Sequence, residues 1–527
     1  AVPEESAGSG YGLYLSSLVA DARGDFFYLV GNYGRAVKNK AGDDFLNRLY
    51  IREDINGDKQ GALRKAKSAR APERAAASIY VASRELASGR IREALSALGG
   101  INPGIISDIL KSWLLISDKR PREAARALMR HIDPRDAFIP AMTSLALVYA
   151  QTGGRENADV IYKTALRYRL DPLDLEQIAA FYGPAESPGI LEAHYKDYPS
   201  ESLADLLSAM KKGYRPAAAD TPQKGFALSL LKISNSILNA GDDSLYDNAF
   251  LYANQALALW PGFYAANLAR ARIFLASNRG ADFAAEIAMI PEGSWLFGAA
   301  RIMKANYCMS RGETRLGIEA YEDAIESNPA LLGPYLAIGR HYFSKGDNRE
   351  AVKILSLGAA RGKGAAAKAY IFYLRSLAYE QMDDFANALS DLERAAALAP
   401  SEPAFLNSYG YFLVDRGVNV DKGTRLIEKA LRMDRDNPNY VDSFGWALFK
   451  QGNLKDAALL LQYAKLLNPT NAVICDHLAS VYWMQGREAE ARFEWNKALH
   501  YYKDSDKFEN LTPSMIRERL ENGYEKK

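Results

Sequence analysis

The sequence has few of the residues that carry most enzyme and metal chemistry. Among its 527 residues there are two cysteines and five histidines. Cys308 and Cys475 stand far apart, each among apolar neighbours at helical spacing, which predicts two small core residues and no disulfide between them. No two histidines lie three to five residues apart, so no metal-binding pair on one helix is predicted. We therefore expect no metal and no cofactor.

Signatures of catalysis are missing as well. The run Cys475, Asp476, His477 combines a thiol, a carboxylate and an imidazole. Consecutive residues of a helix point about 100° apart, however, so these three cannot form a relay. No phosphate loop of the Gly-Lys-Ser/Thr type occurs. We predict that the chain is not an enzyme; the alternative is a chemical site in region 1–225, for which the sequence offers no residues.

Long apolar runs and a strong charge of one sign are also absent. No stretch of 18 or more apolar residues occurs, so no membrane span is predicted. The formal net charge is +2, which gives no global electrostatic case for nucleic acid or an anionic membrane. The first residues, AVPEESAGSG, are typical of an exported chain after signal-peptide removal. We expect a periplasmic or envelope-associated protein; the alternative is a cytoplasmic one.

What the sequence does have is a repeat of about 34 residues. Residues 439–469 contain two apolar-striped stretches, a break at Gly452 and a stop at Pro469, and residues 471–500 repeat this pattern. Each unit predicts a hairpin of two helices, whose small residues allow close packing. The small residues that keep step along the chain are Ala305, Gly339, Ser376, Gly410, Gly445 and Ala479 in the first helices, and Ala324, Gly358, Ala395, Ala430, Ala464 and Ala498 in the second.

Proline and glycine divide the chain into regions. We predict irregular helical repeats over 1–172 and a degenerate, proline-rich repeat with a hinge over 173–225, because proline stops helices. The regular array is predicted over 226–502. Region 503–527 is predicted to hold a capping helix that begins at Thr512, and a charged tail.

The pattern resembles the tetratricopeptide repeat family, whose motif places small and aromatic residues at fixed positions of each hairpin. The resemblance implies an all-α fold, an α-solenoid of about 12–14 such repeats in a right-handed superhelix. It also implies a protein-interaction scaffold, without naming a partner. The motif is matched by Ile338, Gly339, Tyr342, Ala351 and Leu355; by Tyr379, Ala388, Leu392, Ala395 and Pro400; and by Phe444, Gly445, Ala457, Ala464 and Pro469.

The C-terminal third resembles a proteobacterial subgroup of this family that includes exported envelope proteins. The segments LNSYGYFLVDRG and ICDHLASVYWMQG carry this resemblance. One branch of the subgroup is similar to a lipoprotein adaptor that delivers substrates to a carboxy-terminal processing protease. The resemblance therefore implies an envelope scaffold or adaptor with an envelope protease as a candidate partner. This chain lacks the lipobox cysteine of that branch.

In this family the first helix of each repeat lines a concave groove. When the residues that pack against neighbouring helices are set aside, the remaining residues of the first helices face outward. They form a polar row that is crossed by an aromatic band. We predict that these residues bind a protein or peptide, and that the acidic row favours a basic or neutral one. The alternative is that the aromatics pack between repeats and the acids are solvated. The predicted site residues are Tyr373, Asn407, Tyr411, Asp442, Trp446, Asp476 and Trp483.

Overall fold

The computed structural model describes residues 58–69, 74–99, 101–133, 136–137, 139–241, 245–503 and 511–525. The helical repeats predicted within 1–57 lie outside the described residues. The chain divides into two compact units, unit 1 at Ala1–Asn328 and unit 2 at Pro329–Lys527. This division falls inside the predicted regular array. The predicted boundaries near 172 and 225 stay predictions.

Unit 1 is a series of helices that pack against their sequence neighbours, with one two-residue strand pair, Ile132–Asp133 and Asp136–Ala137. The helices of its described residues are α1 Lys59–Lys67, α2 Arg74–Ala87, α3 Ile91–Leu98, α4 Ile105–Ser117, α5 Pro121–Met129, α6 Ile139–Gln151, α7 Arg155–Ala165, α8 Pro172–Asp197, α9 Glu201–Lys211, α10 Pro222–Ala240, α11 Tyr246–Leu259, α12 Tyr264–Ala276, α13 Gly280–Ala288, α14 Phe297–Ser310 and α15 Thr314–Ser327.

Unit 2 continues the series with ten helices in hairpins and one final helix among its described residues. They are α16 Leu332–Lys345, α17 Asn348–Arg361, α18 Ala365–Glu380, α19 Phe385–Leu398, α20 Pro403–Asp415, α21 Val420–Met433, α22 Pro438–Lys450, α23 Leu454–Leu467, α24 Ala472–Met484, α25 Glu488–Tyr501 and α26 Pro513–Asn522. Helices α2 to α25 form twelve successive hairpins. The predicted all-α solenoid is confirmed.

Each hairpin closes through a short turn with local capping. Gly452 between α22 and α23 has φ +86°, a left-handed conformation that favours glycine. The next residue, Asn453, caps α23 by accepting a hydrogen bond from the amide of Asp456. Asp384 caps α19 through the amide of Asn387 in the same way. These turns confirm the predicted helix breaks.

The small residues sit where the two helices of a hairpin touch. A Cβ atom on Gly410 would lie 2.6 Å from the carbonyl oxygen of Gly423, and one on Gly423 would meet the Gly410 carbonyl at the same distance. A Cβ on Gly445 would lie 2.8 Å from Cγ of Leu461. Ala457 is fully buried. The backbones therefore approach too closely for larger side chains, as predicted.

The proline-rich region contains more helix than the sequence suggests. Pro172 occupies the first turn of α8, where its missing amide needs no partner, and Asp171 caps the helix through the amide of Leu173. Gly183, at φ +76° and ψ 177°, kinks α8 immediately before Pro184. The helical course then resumes to Asp197. The helix thus breaks at the residue before Pro184, as expected of proline, whereas Pro188 lies inside the helical run that follows.

A helix lies where the terminal cap is predicted. Helix α26 begins after Thr512, whose hydroxyl accepts a hydrogen bond from the amide of Met515 at 3.3 Å. Ile516 of α26 is fully buried, in one apolar cluster with Leu511 and Trp495. The helix thus covers the apolar surface that the last hairpin would otherwise expose.

Gly410→Ala is expected to destabilise unit 2 by about 1–3 kcal/mol, because the added methyl group overpacks the contact with Gly423. The control is Gly333→Ala in α16, where a Cβ atom meets nothing within 4 Å. It is expected to be neutral or to stabilise by up to ~1 kcal/mol. Urea denaturation followed by circular dichroism measures both. Equal stability of Gly410→Ala and wild type would contradict the close approach.

Candidate functional site

The predicted site lies on the first-helix face of unit 2, which we define as the face formed by α18, α20, α22 and α24. At its centre Asp442 and His477 form a buried pair, with both carboxylate oxygens 2.9–3.0 Å from Nδ1. The indole ring of Trp446 stacks on the imidazole with centroids 4.1 Å apart and an interplanar angle of 15°. Trp446 also donates its Nε1–H to Asp415 at 3.1 Å. The hydroxyl oxygen of Tyr411 lies 3.5 Å from Nε2 of His477.

The charge state of His477 follows from two opposed effects. Burial alone would lower its pKa, but the Asp442 carboxylate more than offsets this and holds the pKa above the ordinary value. The imidazolium form also gains from the indole face of Trp446. The pair therefore joins α22 to α24 through a buried charge contact.

A second buried carboxylate is held by the final helix. Asp476 is 3% exposed. It accepts a hydrogen bond from Nε1 of Trp495 at 3.1 Å and forms an ion pair with the guanidinium of Arg519, on α26. Burial alone would lower the pKa of Arg519, but Asp476 raises it above the ordinary value. The carboxylate is thus satisfied from within the chain.

The residues after α26 continue across this face. We call Leu511–Glu525 the C-terminal segment. Tyr524 packs edge-on against Trp446 and Phe449, with centroids 6.1 Å and 5.4 Å away. Gly523 passes so close to Trp483 that a Cβ atom would lie 2.0 Å from its ring. The C-terminal segment therefore occupies the part of the face formed by α22 and α24.

The part formed by α18 and α20 has a different character. Tyr373 packs on Phe405 with ring centroids 5.1 Å apart. The side-chain oxygen of Asn407 is buried and accepts no hydrogen bond from any described residue. The pKa of Glu380 is raised to about 7, chiefly by burial, with the Arg416 charge opposing the rise and the Asp415 carboxylate adding to it. This end combines aromatic rings, an unused acceptor and carboxyl groups.

The structure brings some of the predicted residues together and separates others. Tyr411, Asp442 and Trp446 all contact His477, whereas Asp476 and Trp483 belong to the contacts of α26. The expectation that the acidic row faces an external partner is wrong for Asp442 and Asp476, which are paired with cations of the chain itself. The alternative of solvated acids is wrong for the same two residues, since both are buried.

Sequence reasoning missed three residues that shape this face: His477, Arg519 and Tyr524. A signal for His477 existed, because it follows Asp442 by 35 residues, about one repeat, and so lies beside it in the next first helix. Arg519 lies in the final helix and Tyr524 lies just after it. The repeat pattern does not extend to these residues, so it does not predict which of their side chains contact the first-helix face.

No catalytic constellation is present in this region. Cys475 is fully buried, and burial raises the pKa of its thiol to about 11. Asp476 and His477 bond to different helices, as their helical spacing requires. Both cysteines are free. Within the described ranges, no group of three metal-binding side chains occurs and no helix is long and apolar enough to cross a membrane.

Comparison with known proteins agrees with the repeat pattern. The tetratricopeptide repeat family model matches residues 369–402, which contain most of α18 and all of α19. A TPR repeat-containing protein of Pseudomonas aeruginosa is 37% identical over 103 residues, which cover 20% of this chain and 18% of that protein. The chain thus matches less than a fifth of the length of that relative. Residues 369–402 therefore match a tetratricopeptide repeat, and helical hairpins precede and follow them along the chain.

Two solved structures illustrate the range of similar folds. The APC/C hetero-tetramer Cut9–Hcn1 aligns with 92% of this chain and 97% of its own, at a TM-score of 0.37 and 14% identity. YrrB, a TPR protein with an unusual peptide-binding site, aligns with 37% of this chain and 97% of its own, at a TM-score of 0.29 and 18% identity.

Arg519→Ala is expected to destabilise unit 2 by about 3–5 kcal/mol, because it leaves the Asp476 carboxylate buried without its cation. Adding Asp476→Asn should restore part of this loss. The control is Arg517→Ala on the exposed side of α26, expected to change stability by at most ~0.5 kcal/mol. Urea denaturation of wild type, Arg519→Ala, Asp476→Asn and the double variant measures the coupling; additive effects of the two single changes would contradict the pairing.

The Asp442–His477 pair predicts a pH-dependent stability. Since folding raises the pKa of His477, its contribution is fully present below its unfolded pKa of about 6.5 and is lost as pH rises through the folded value. The difference in unfolding free energy between wild type and His477→Gln should therefore be larger at acidic than at alkaline pH. Exposed His500→Gln serves as the control. A difference that stays constant, or grows with pH, would contradict the charged pair.

Proposed function

We propose that the protein is a non-enzymatic scaffold or adaptor that binds a segment of another protein on the first-helix face of unit 2. The observation that carries this proposal is the C-terminal segment, which lies on the same face. Its Arg519 pairs with the buried carboxylate of Asp476, and its Tyr524 packs against the rings of Trp446 and Phe449. The face therefore offers the kinds of contact by which such a groove holds a helix or peptide.

The partner segment is placed at the α18–α20 end, since the C-terminal segment takes the α22–α24 end. Tyr373 and Tyr411 supply partly exposed rings there. Asn407, whose side chain is partly exposed, lies on the same face and would add a polar contact to the partner. The carboxyl groups of Glu380 and Asp415 nearby favour a neutral or basic segment over an acidic one.

For the setting, we propose the bacterial cell envelope, with an envelope protease as the candidate partner. The support for this setting is the C-terminal third, whose sequence resembles an envelope subgroup. A cytoplasmic assembly module is the second candidate. Fractionation of the source cell, with immunodetection of the full chain in the periplasmic and cytoplasmic fractions, distinguishes the two settings.

Binding is tested by affinity capture from the source cell with wild type and Tyr373→Ala/Asn407→Ala. We expect one protein class to be retained by wild type and reduced at least about tenfold by the double variant, which corresponds to ~1.4 kcal/mol. Trp446 is unsuitable for this test because it is buried and stacked on His477. The matched control is Tyr463→Ala, an exposed tyrosine on the second helix α23.

Folding of each variant is checked by circular dichroism before capture. Unchanged retention by Tyr373→Ala/Asn407→Ala would place the interface away from the α18–α20 end. Equal loss in the Tyr463→Ala control would show that capture depends on general surface properties. Either result would contradict the proposed groove.

A further inference from the structure

A basic groove lies on unit 1, between α3 and α5, the second helices of two successive hairpins. Its volume is about 980 Å³. Its apolar lining comes from Leu95, Leu115 and Ala127, with Met129 at the rim, where that side chain is 53% exposed. An exposed methionine beside buried leucine provides an adaptable apolar surface.

The charged lining of this groove is almost entirely of one sign. Five cationic side chains stand against one carboxylate, Glu123. The cations come from α3, from α4, from the turn before α5, and from α5 and its C-terminal end, so they surround the groove rather than follow one helix. They are Arg92, Lys111, Arg120, Arg126 and Arg130.

Two of these cations are already compensated by the chain. Arg120 donates two hydrogen bonds to Glu123, at 2.8 and 2.7 Å. Arg130 donates one to Asp108 at 3.2 Å, a carboxylate that also bonds His131 at 2.7 Å.

The other three cations have no such compensation. Arg92, Lys111 and Arg126 form no ion pair with any residue in the described part of the chain. The hydrogen bonds from Arg120 lower the pKa of Glu123, and the charges of Arg126 and Lys111 lower it further. The groove thus keeps a positive potential, because five cations stand against the single carboxylate of its lining, Glu123.

We propose that this groove binds an acidic, amphipathic segment of a partner protein. Carboxylates of the segment would pair with Arg92, Lys111 and Arg126, and guanidinium groups suit carboxylates because they can donate two parallel hydrogen bonds. Apolar side chains of the segment would cover Leu95 and Met129. The proposal concerns unit 1 and is independent of the peptide site on unit 2.

The lining favours a peptide over a nucleic acid. Single-stranded nucleic acids bind through phosphate contacts combined with stacking of bases on aromatic rings. None of the described residues that line the groove is aromatic. A phosphate backbone would also leave the apolar floor uncovered, whereas an amphipathic peptide matches both the cations and the floor.

The test uses the full chain and a short fluorescein-labelled peptide in which Glu alternates with Leu, followed by fluorescence anisotropy at physiological salt. We expect Arg126→Glu to weaken binding about tenfold, which corresponds to ~1.4 kcal/mol. The matched control is Arg122→Glu on the same helix, which makes the same charge change outside the groove lining. It is expected to weaken binding by no more than about threefold, because Arg122 does not line the groove and its exposed charge acts on the peptide only through solvent.

Three comparisons decide the outcome. Met129→Ser should weaken the Glu/Leu peptide about threefold and leave an all-Glu peptide unaffected; the threefold loss corresponds to ~0.6 kcal/mol. Equal effects of Arg122→Glu and Arg126→Glu would overturn the proposal, because binding would then follow overall charge. Failure of wild type to bind the Glu/Leu peptide, or tighter binding of a single-stranded oligonucleotide, would overturn it as well. Circular dichroism of Arg126→Glu checks that its loss does not come from unfolding, and Arg126→Lys, which keeps the charge, is expected to retain binding.

Discussion

The close approach of two helices at small residues is the constraint on which this structure depends. Gly410 and Gly423 each leave room only for the carbonyl of the other, so neither position accepts a side chain. That contact fixes how the two helices of a hairpin rotate about their axes. Rotation in turn decides which side chains face the next hairpin and which face outward. The repeat of small residues therefore fixes the first-helix face as well as the fold.

Buried charge pairs add a second layer of order to unit 2. Asp442 on α22 and Asp476 on α24 occupy equivalent positions in successive repeats. Asp442 is paired with His477 on α24, and Asp476 is paired with Arg519 on α26. Apolar contacts between helices tolerate small shifts, whereas a buried carboxylate must meet its cation. Such pairs contribute little net stability in general and are better suited to fixing which element packs where. Here they fix α22, α24 and α26 in sequence.

Local, periodic features of this protein could be predicted from sequence, and features set by distant residues could not. The hairpins, the turn at Gly452 and the capping helix follow from helical spacing and capping chemistry within a few residues. Burial of Asp476 depends on Arg519, which is 43 residues later. Periodicity shows which face of a helix a residue occupies, but not what later covers that face. The helical run after Pro184 was not predicted, because Gly183 ends the first run in a non-helical conformation and Pro184 then stands at the start of a new one.

The net charge of +2 is a sum over surfaces that differ in local charge. On unit 2, carboxylates of the first-helix face are matched by cations of the chain, while on unit 1 the groove beside α5 keeps arginines without carboxylate partners among the described residues. Repeats contact only their neighbours, and salt screens exposed charges beyond ~8 Å, so such fields remain local. Each surface can therefore recognise a different partner. A whole-chain charge argument excludes neither a basic nor an acidic one.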